Sequence, residues 1–321
     1  MDTFRWAYIG SGNIARNTAK SITKGDHKIT AVYSRNPETA KAVAASCGAT
    51  VYSTAEQAMT AADVDGVYIA TPHTSHCAYA LQAIRLGKPV LCEKPVGVSA
   101  AEADAMIRAA QEHGVYFCEA MWTWFSDVAL TVRQWVQSGR IGDVKRVEMD
   151  YAFPGMLMQK SSRVRMPETA GGALLDIGIY PVTYCYNLFG YPKSIHCDGR
   201  LQDGIDIYET VTLGYNGFSC VLRTSLTSLK ERCVIKGSRG SIRLDWFHMA
   251  SKAVLKTDEG KEVFRGKTDY LTQFTRAAEE IRAGKTESAY IPPEATRDCL
   301  RILDVCRAQM GLVYPFERST R

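Results

Sequence analysis

The chain has 321 residues, 46% apolar and 23% charged, with a formal net charge of +5, the balance of a soluble globular protein of about two domains. Its Lys and Arg residues are scattered, which excludes a nucleic-acid or membrane-surface patch, and no apolar run approaches the ~18 residues of a membrane helix. The ten Cys stand singly in apolar stretches, as at Cys92, Cys118 and Cys220, with no CxxC pair; together with the expected lack of a signal peptide this indicates reduced thiols in a cytoplasmic protein, with no disulfide scaffold.

Residues 1–121 alternate strand and helix signals. A short apolar strand is predicted at 5–10, a helix at 13–23 and a second strand at 28–34. Asn36-Pro37 supplies a cap and an N1 proline for the next helix, which Gly48 ends. A brief strand at 51–52, a helix at 55–62, a strand at 65–71, a helix at 76–86 and a strand at 88–92 follow. Ser99 and Glu102 form a capping box for a helix that runs to His113, where Gly114 stops it before a sixth strand at 115–121. Such alternation, with strands that are apolar throughout, predicts a parallel doubly wound sheet.

After a helix at 127–138 the pattern changes. Strands are predicted at 145–153, 194–201, 208–215, 218–227, 232–236 and 241–246, with hairpin turns at Tyr215-Asn216-Gly217 and 237–240. Amphipathic helices at 269–283 and 293–310 close the chain. The second half therefore reads as α+β with a large, open, mostly antiparallel sheet, one face covered by these two helices and the other partly apolar.

Chemistry first becomes visible at Gly10-Ser11-Gly12-Asn13-Ile14-Ala15, a GxGxxA after a strand and at a helix start. Gly10 permits the tight turn, Gly12 lets a pyrophosphate approach the backbone, and Ala15 lets the helix pack on the strand. The helix N-terminus offers free N–H groups and a positive dipole. A site for NAD would place Asp or Glu at the end of the second strand, where this chain has Ser34-Arg35. A carboxylate repels a 2′-phosphate and a guanidinium binds it, so NADP is expected in preference to NAD. The division expected is a dinucleotide-binding Rossmann domain at 1–122 and a substrate-binding and oligomerisation domain at 123–321.

Cys92-Glu93-Lys94-Pro95 at the end of the fifth strand, after Thr71-Pro72-His73-Thr74-Ser75-His76, resembles the glucose–fructose oxidoreductase/inositol dehydrogenase (Gfo/Idh/MocA) family. The segments 119–123 (EAMWT), 171–180 (GGALLDIGIY) and 311–315 (GLVYP) are similar to the branch of dimeric dihydrodiol dehydrogenases and sugar dehydrogenases. The resemblance implies a catalytic group of Lys94, Asp176 and Tyr180, the last often His in other branches. It implies cofactor contacts from Glu93, Met121 and Trp122 as well as the phosphate loop, and a cofactor- or substrate-facing Arg163. It also implies a cis peptide before Pro95 and pairing of two or more copies through the open face of the second sheet.

The residues themselves suit that chemistry. Hydride exchange at an alcohol carbon needs a group that takes or returns the hydroxyl proton. Free Tyr has a pKa of ~10, and a neighbouring ammonium such as Lys94 favours the phenolate; Lys94 could also carry the proton itself. Asp176 and Tyr180, four apart on an expected helix, share a face. Thr71–His73 would line the cofactor and His76 would support a helix start. Trp122, Trp124 and Phe153 could form an apolar wall against a polyhydroxylated ring, beside Lys94, Arg163, Asp176 and Tyr180. Ala170 stands where the branch often has a third Gly, and Trp124 where it often has Arg. His73, His76 and Cys77 match no zinc spacing, so no metal is expected. Two other functions share the framework: a glycosidase using its cofactor transiently, against which Ser34-Arg35 argues, and a non-catalytic nicotinamide sensor, against which Lys94, Asp176 and Tyr180 argue.

Overall fold

A computed structural model describes residues 3–318. Strands β1 (Phe4–Ile9), β2 (His27–Tyr33), β3 (Thr50–Val51), β4 (Gly66–Ile69), β5 (Val90–Glu93) and β6 (Phe117–Ala120) alternate with helices α1 (Asn13–Ile22), α2 (Pro37–Cys47), α3 (Ala55–Met59), α4 (His76–Arg85) and α5 (Ala100–His113). The strands form one parallel sheet in the order β3-β2-β1-β4-β5-β6. β4, β5 and β6 are buried at every position, as a sheet covered on both faces requires. The caps expected from sequence are in place. The Asn36 side chain accepts from the N–H groups of Glu38 and Thr39, and Ser99 accepts from that of Glu102.

Beyond helix α6 (Asp127–Gln137) come β7 (Val144–Ala152), helix α7 (Ile179–Phe189), β8 (Ser194–Gln202), β9 (Ile205–Gly214), β10 (Ser219–Ser225), β11 (Lys230–Gly237), β12 (Gly240–Asp245), β13 (Lys252–Thr257) and β14 (Gly260–Arg265). They make an eight-stranded sheet ordered β14-β13-β12-β11-β7-β10-β9-β8, antiparallel except where β7 meets β10. Helices α8 (Leu271–Arg282), α9 (Pro293–Met310) and the short α10 (Pro315–Arg318) end the described chain.

The described residues up to Trp122 form a compact unit with Asp269–Arg297; a second unit comprises Thr123–Thr268 and the described residues from Asp298 on. Residues 269–297, expected in the second domain, thus pack with the first. The cause is Phe274 of α8, fully buried against the rings of Trp6 (5.3 Å) and Tyr68 (4.8 Å). Tyr116 also donates to Glu280 at 2.9 Å. Accordingly α8 belongs to the first unit, and the cover expected from it within the second unit comes from other helices. That role falls to α6 and α7, which contact β13, β14, β7 and β10, and to the C-terminal half of α9, whose Gln309 accepts from the Cys197 N–H.

The other face of that sheet also differs from expectation, being predominantly charged. In register on β7, β10 and β11 lie Arg146, Asp150, Arg223, Lys230, Arg232 and Lys236. Buried Asp150 has Lys230 at 3.0 Å, Arg232 at 3.6 Å and Arg223 at 3.7 Å. Alternation explains the error: the inward positions Val147, Met149, Cys220, Leu222, Cys233 and Ile235 carry the apolar residues of these strands. Among the described residues no helix is long and apolar enough to cross a membrane.

Candidate functional site

In the first unit the chain leaves β1 through Gly10 at φ +113°, where an added Cβ would lie 2.4 Å from the Ala70 carbonyl oxygen. Only glycine fits. At Gly12 a Cβ would instead point into open space, with nothing nearer than Ala70 O at 4.0 Å. Gly12 caps α1, which has no side-chain cap and no acidic residue in its first turn. Its leading N–H groups, with Asn13 exposed and Ile14 half-buried beside them, are therefore open to an anion. Ser11 is buried and bonds Thr39 of α2 at 2.6 Å, while Arg16 donates to Ser11 O at 3.0 Å and also to Asn13. Thr39 and Arg16 escaped the sequence reading, because nothing in their local pattern links them to the loop.

At the end of β2 Ser34 is half-buried and Arg35 exposed, and Tyr79 of α4 lies within electrostatic reach of Arg35. The Thr71 hydroxyl is buried without a hydrogen-bond partner among the described residues. An orphan donor of this kind, an open cradle at Gly12 and a cation at the β2 terminus suit a phosphorylated dinucleotide. Pro72 is half-buried and His73 buried in a turn that leads into α4. His76 is wholly buried, with Nε2 2.8 Å from Thr71 O and Nδ1 2.9 Å from Pro95 O. It joins the Thr71 and Lys94–Pro95 loops through their backbones and has no surface left for a cofactor.

Lys94 is half-buried, and its peptide bond to Pro95 is cis. Glu93 is buried, its Oε1 accepting from the Tyr68 hydroxyl at 2.5 Å and its Oε2 from the Lys94 N–H at 3.2 Å. Both oxygens thus face the protein. Glu119, missed as a site residue, fixes the same loop from below: Oε1 accepts from the Val96 N–H at 3.1 Å and Oε2 from the Thr296 hydroxyl at 3.1 Å. Burial pushes both carboxyls up to about 7, partly offset by these hydrogen bonds and by the Lys94 ammonium. Met121 and Trp122 are buried, Trp122 against the Tyr270 ring at 4.6 Å.

In the second unit the segment before α7 turns on two glycines. Gly171 has no room for a Cβ, which would lie 2.7 Å from Arg163 O, and Gly172 sits at φ +122° with Asp206 where a Cβ would project. Ala170 adopts the left-handed conformation at φ 53° in spite of its methyl group. Asp206 accepts from the Leu174 N–H at 2.5 Å, and the Tyr314 hydroxyl donates to Gly171 O at 3.1 Å. Glu209 is wholly buried, its two oxygens without a hydrogen-bond partner among the described residues, and burial raises both its carboxyl and that of Asp206. A bulge in β9 opposite Arg200–Leu201 turns both carboxyls to this face.

The helix that follows opens with a π turn, Leu174–Gly178, before α7, a feature that often marks functional sites. Asp176, on the π turn, pairs with Arg163 at 2.7 Å. Tyr180, on the first turn of α7, is 7% exposed, with its ring centroid 5.7 Å from that of Tyr151 and 5.4 Å from that of His248. Tyr151, His248 and Glu231 were absent from the sequence reading; only their tertiary proximity to Tyr180 reveals them. Trp124 lies near-parallel to Tyr186 at 6.4 Å, and Phe153 packs on a cluster around Val164 and Ile177. Among the described residues no three His, Cys, Asp or Glu side chains are grouped as metal ligands.

Comparison with known proteins completes the picture. Residues 4–120 match the family model described as "Oxidoreductase family, NAD-binding Rossmann fold", and residues 129–243 match the "GFO/IDH/MocA C-terminal domain". The chain is 33% identical to the Bacillus subtilis scyllo-inositol 2-dehydrogenase (NADP(+)) IolU, covering 98% of this chain and 99% of that one. It is 28% identical to the mouse trans-1,2-dihydrobenzene-1,2-diol dehydrogenase over the same shares. The 3-ketoreductase KijD10 of Actinomadura kijaniata has the same fold, with a TM-score of 0.88 at 20% identity over 96% of this chain and 98% of that one. With a Rossmann unit, an open antiparallel sheet and sequence similarity across nearly its whole length, the chain belongs to the GFO/IDH/MocA family of oxidoreductases.

Proposed function

We propose that the protein is an NADP-dependent dehydrogenase or reductase acting at a CH–OH carbon of a sugar, a sugar derivative or a cyclic trans-diol. The observation that carries this reading is Ser34-Arg35 at the end of β2, where an NAD site would have a carboxylate. The names of the Bacillus and mouse relatives, an NADP-dependent inositol dehydrogenase and a diol dehydrogenase, support it. When bound, NADP supplies or accepts hydride at nicotinamide C4. Residues 10–14 and the α1 N-terminus would hold the pyrophosphate, Ser34 and Arg35 the 2′-phosphate, and the Thr71–His73 turn the ribose and nicotinamide side.

The chain's own task is then proton transfer. We assign it to Lys94, Asp176 and Tyr180: Tyr180 takes the hydroxyl proton in oxidation and returns it in reduction, Lys94 favours its phenolate, and Asp176, paired with Arg163, orients the substrate. Lys94 is the alternative proton carrier. We further propose a cytoplasmic location and at least a homodimer, formed through the open face of the second sheet. Because cations outnumber carboxylates on that face, two copies repel each other there, and light scattering should show association that strengthens with salt. The function is tested by incubating the protein with NADP or NAD and scyllo-inositol, D-xylose or trans-1,2-cyclohexanediol while following nicotinamide absorbance. Reduction of NADP by at least one alcohol supports the reading; no reduction of either cofactor by any of them overturns it.

A further inference from the structure

Strand alternation sends Ile235, Ile242, Leu244 and Leu255 to the buried side of β11, β12 and β13, and their neighbours in sequence to the open side. There the β11–β14 half of the sheet is hollowed into a groove of about 440 Å³. Short side chains, Ser241, Val234 and Val254, lie along its middle. The strand register lines up cations around them. Lys236 on β11 pairs with Ser241 on β12, Ser241 with Lys256 on β13, and Lys256 with Lys261 on β14, in one row across four strands. Farther along β13, Lys252 stands directly opposite Arg265. Like charges directly opposed on one sheet face destabilise it. The two carboxylates that line the groove do not offset these pairs: Glu148 is taken by Arg146 at 2.7 Å and Asp245 by Arg243 at 2.8 Å. Among the described residues Lys236, Lys252, Lys256 and Lys261 have no carboxylate within ion-pair distance.

We propose that this groove is a binding site for a small linear polyanion of the oligophosphate class, built from residues other than those of the GxGxxA loop. Neighbouring strands lie about 4.8 Å apart, so the row from Lys236 to Lys261 extends over roughly 14 Å, long enough to follow a chain of phosphate groups. Lysine ammonium groups bind phosphate oxygens as point charges, and a groove of this volume takes a small molecule, not a folded partner. Bound there, the anion supplies the counter-charge that the opposed lysines lack. The inference is independent of the roles given to Tyr180 and Lys94.

The test is calorimetric titration with sodium tripolyphosphate and with ATP, on protein saturated with NADPH so that the cofactor cradle is filled. One anion per chain is expected, with an affinity that falls as NaCl is raised. Lys256→Gln/Lys261→Gln should weaken binding roughly tenfold or more. Without the anion the same variant should melt at a higher temperature than the parent, because it relieves an opposed pair. Lys24→Gln/Lys193→Gln removes the same net charge from exposed positions outside the groove and should leave the affinity nearly unchanged. Equal binding of both ligands assigns the site to the phosphate chain alone, and a preference for ATP or for tripolyphosphate identifies the source of that chain. No saturable binding, or an equal loss in the groove variant and the control, overturns the inference and leaves a diffuse positive face. A dimer by light scattering that shuts the anion out overturns it as well, with a second copy covering the groove.

Discussion

In the Rossmann unit the buried carboxyls of Glu93 and Glu119 face neutral donors: the Tyr68 and Thr296 hydroxyls and the N–H groups of Lys94 and Val96. In the sheet unit Asp176 faces Arg163, Asp150 faces three cations, and Glu231 faces an imidazole. Neutral hydrogen bonds are about half as strong as charge-assisted ones, and at Glu93 and Glu119 burial outweighs them. The difference matches what each unit contributes. On the proposed function the first offers backbone geometry to the cofactor, and its Glu93 and Glu119 hold loops. The second, on the proposed function, presents side chains to a substrate and holds Asp176 and Asp150 through paired charges, whereas its Asp206 and Glu209 are raised by burial like the carboxyls of the first unit.

If the second unit supplies the chemical step, the largest effects will come from its side chains and from Lys94. Tyr180→Phe should lower turnover by roughly 10²–10⁴, with NADP affinity by fluorescence titration nearly unchanged. Lys94→Met should fall at least as far, and the double variant should be little worse than the worse single one. Nearly full turnover in Tyr180→Phe beside a dead Lys94→Met would shift the proton to Lys94 and leave Tyr180 as a pocket wall.

The neutral environment in the first unit makes a pH prediction. Glu93 and Glu119 titrate near 7 in the folded chain, against a reference of 4.5. Between those values the folded state binds more protons than the unfolded one, so their contribution is fully present below about pH 4.5 and is lost as pH rises through about 7. Each shift corresponds to at most about 3 kcal/mol. Urea unfolding of Glu93→Gln and Glu119→Gln should show a flatter stability profile than the parent across that window. An identical slope would mean that burial does not raise these carboxyls in the folded chain.

A smaller effect is expected at the cofactor's edge. NADP should bind at least tenfold better than NAD, and Arg35→Ala should remove much of the gap, since a charged hydrogen bond contributes roughly 1.5–3 kcal/mol. Equal affinities in the parent would remove the reason for choosing NADP. Smallest of all, Asn36→Ala deletes the cap of α2 and should cost about 1 kcal/mol in thermal unfolding. A loss several times larger would show that α2 supports the phosphate loop through Thr39 as well as through its own end.

How much of this was legible depended on the distance over which the signal acts. The GxGxxA loop, the Asn36 and Ser99 caps and the alternation of β1 to α5 involve neighbours in sequence, and they stand where the residues predicted. The Asp176–Tyr180 spacing likewise marked a helix, though not its opening π turn. The open face of the sheet was misjudged because a strand pattern shows which residues alternate, not which side receives the helices. Placing 269–283 with the second sheet failed for a related reason: an amphipathic helix reveals that it has an apolar face but not which apolar surface will bury it.

The sequence by itself determined the fold class, the glycine turn between β1 and α1, the helix caps and the family, because each rests on short spacings whose backbone consequences are local. Tertiary structure alone decided that Phe274 joins Trp6 and Tyr68, that His76 ties two loops through their carbonyls, and that Glu231, His248 and Tyr151 gather beside Tyr180. Those contacts join residues up to 268 positions apart in sequence. A hydrogen bond or ring contact leaves no periodicity in the chain; it exists only once strand register and helix docking bring the partners together.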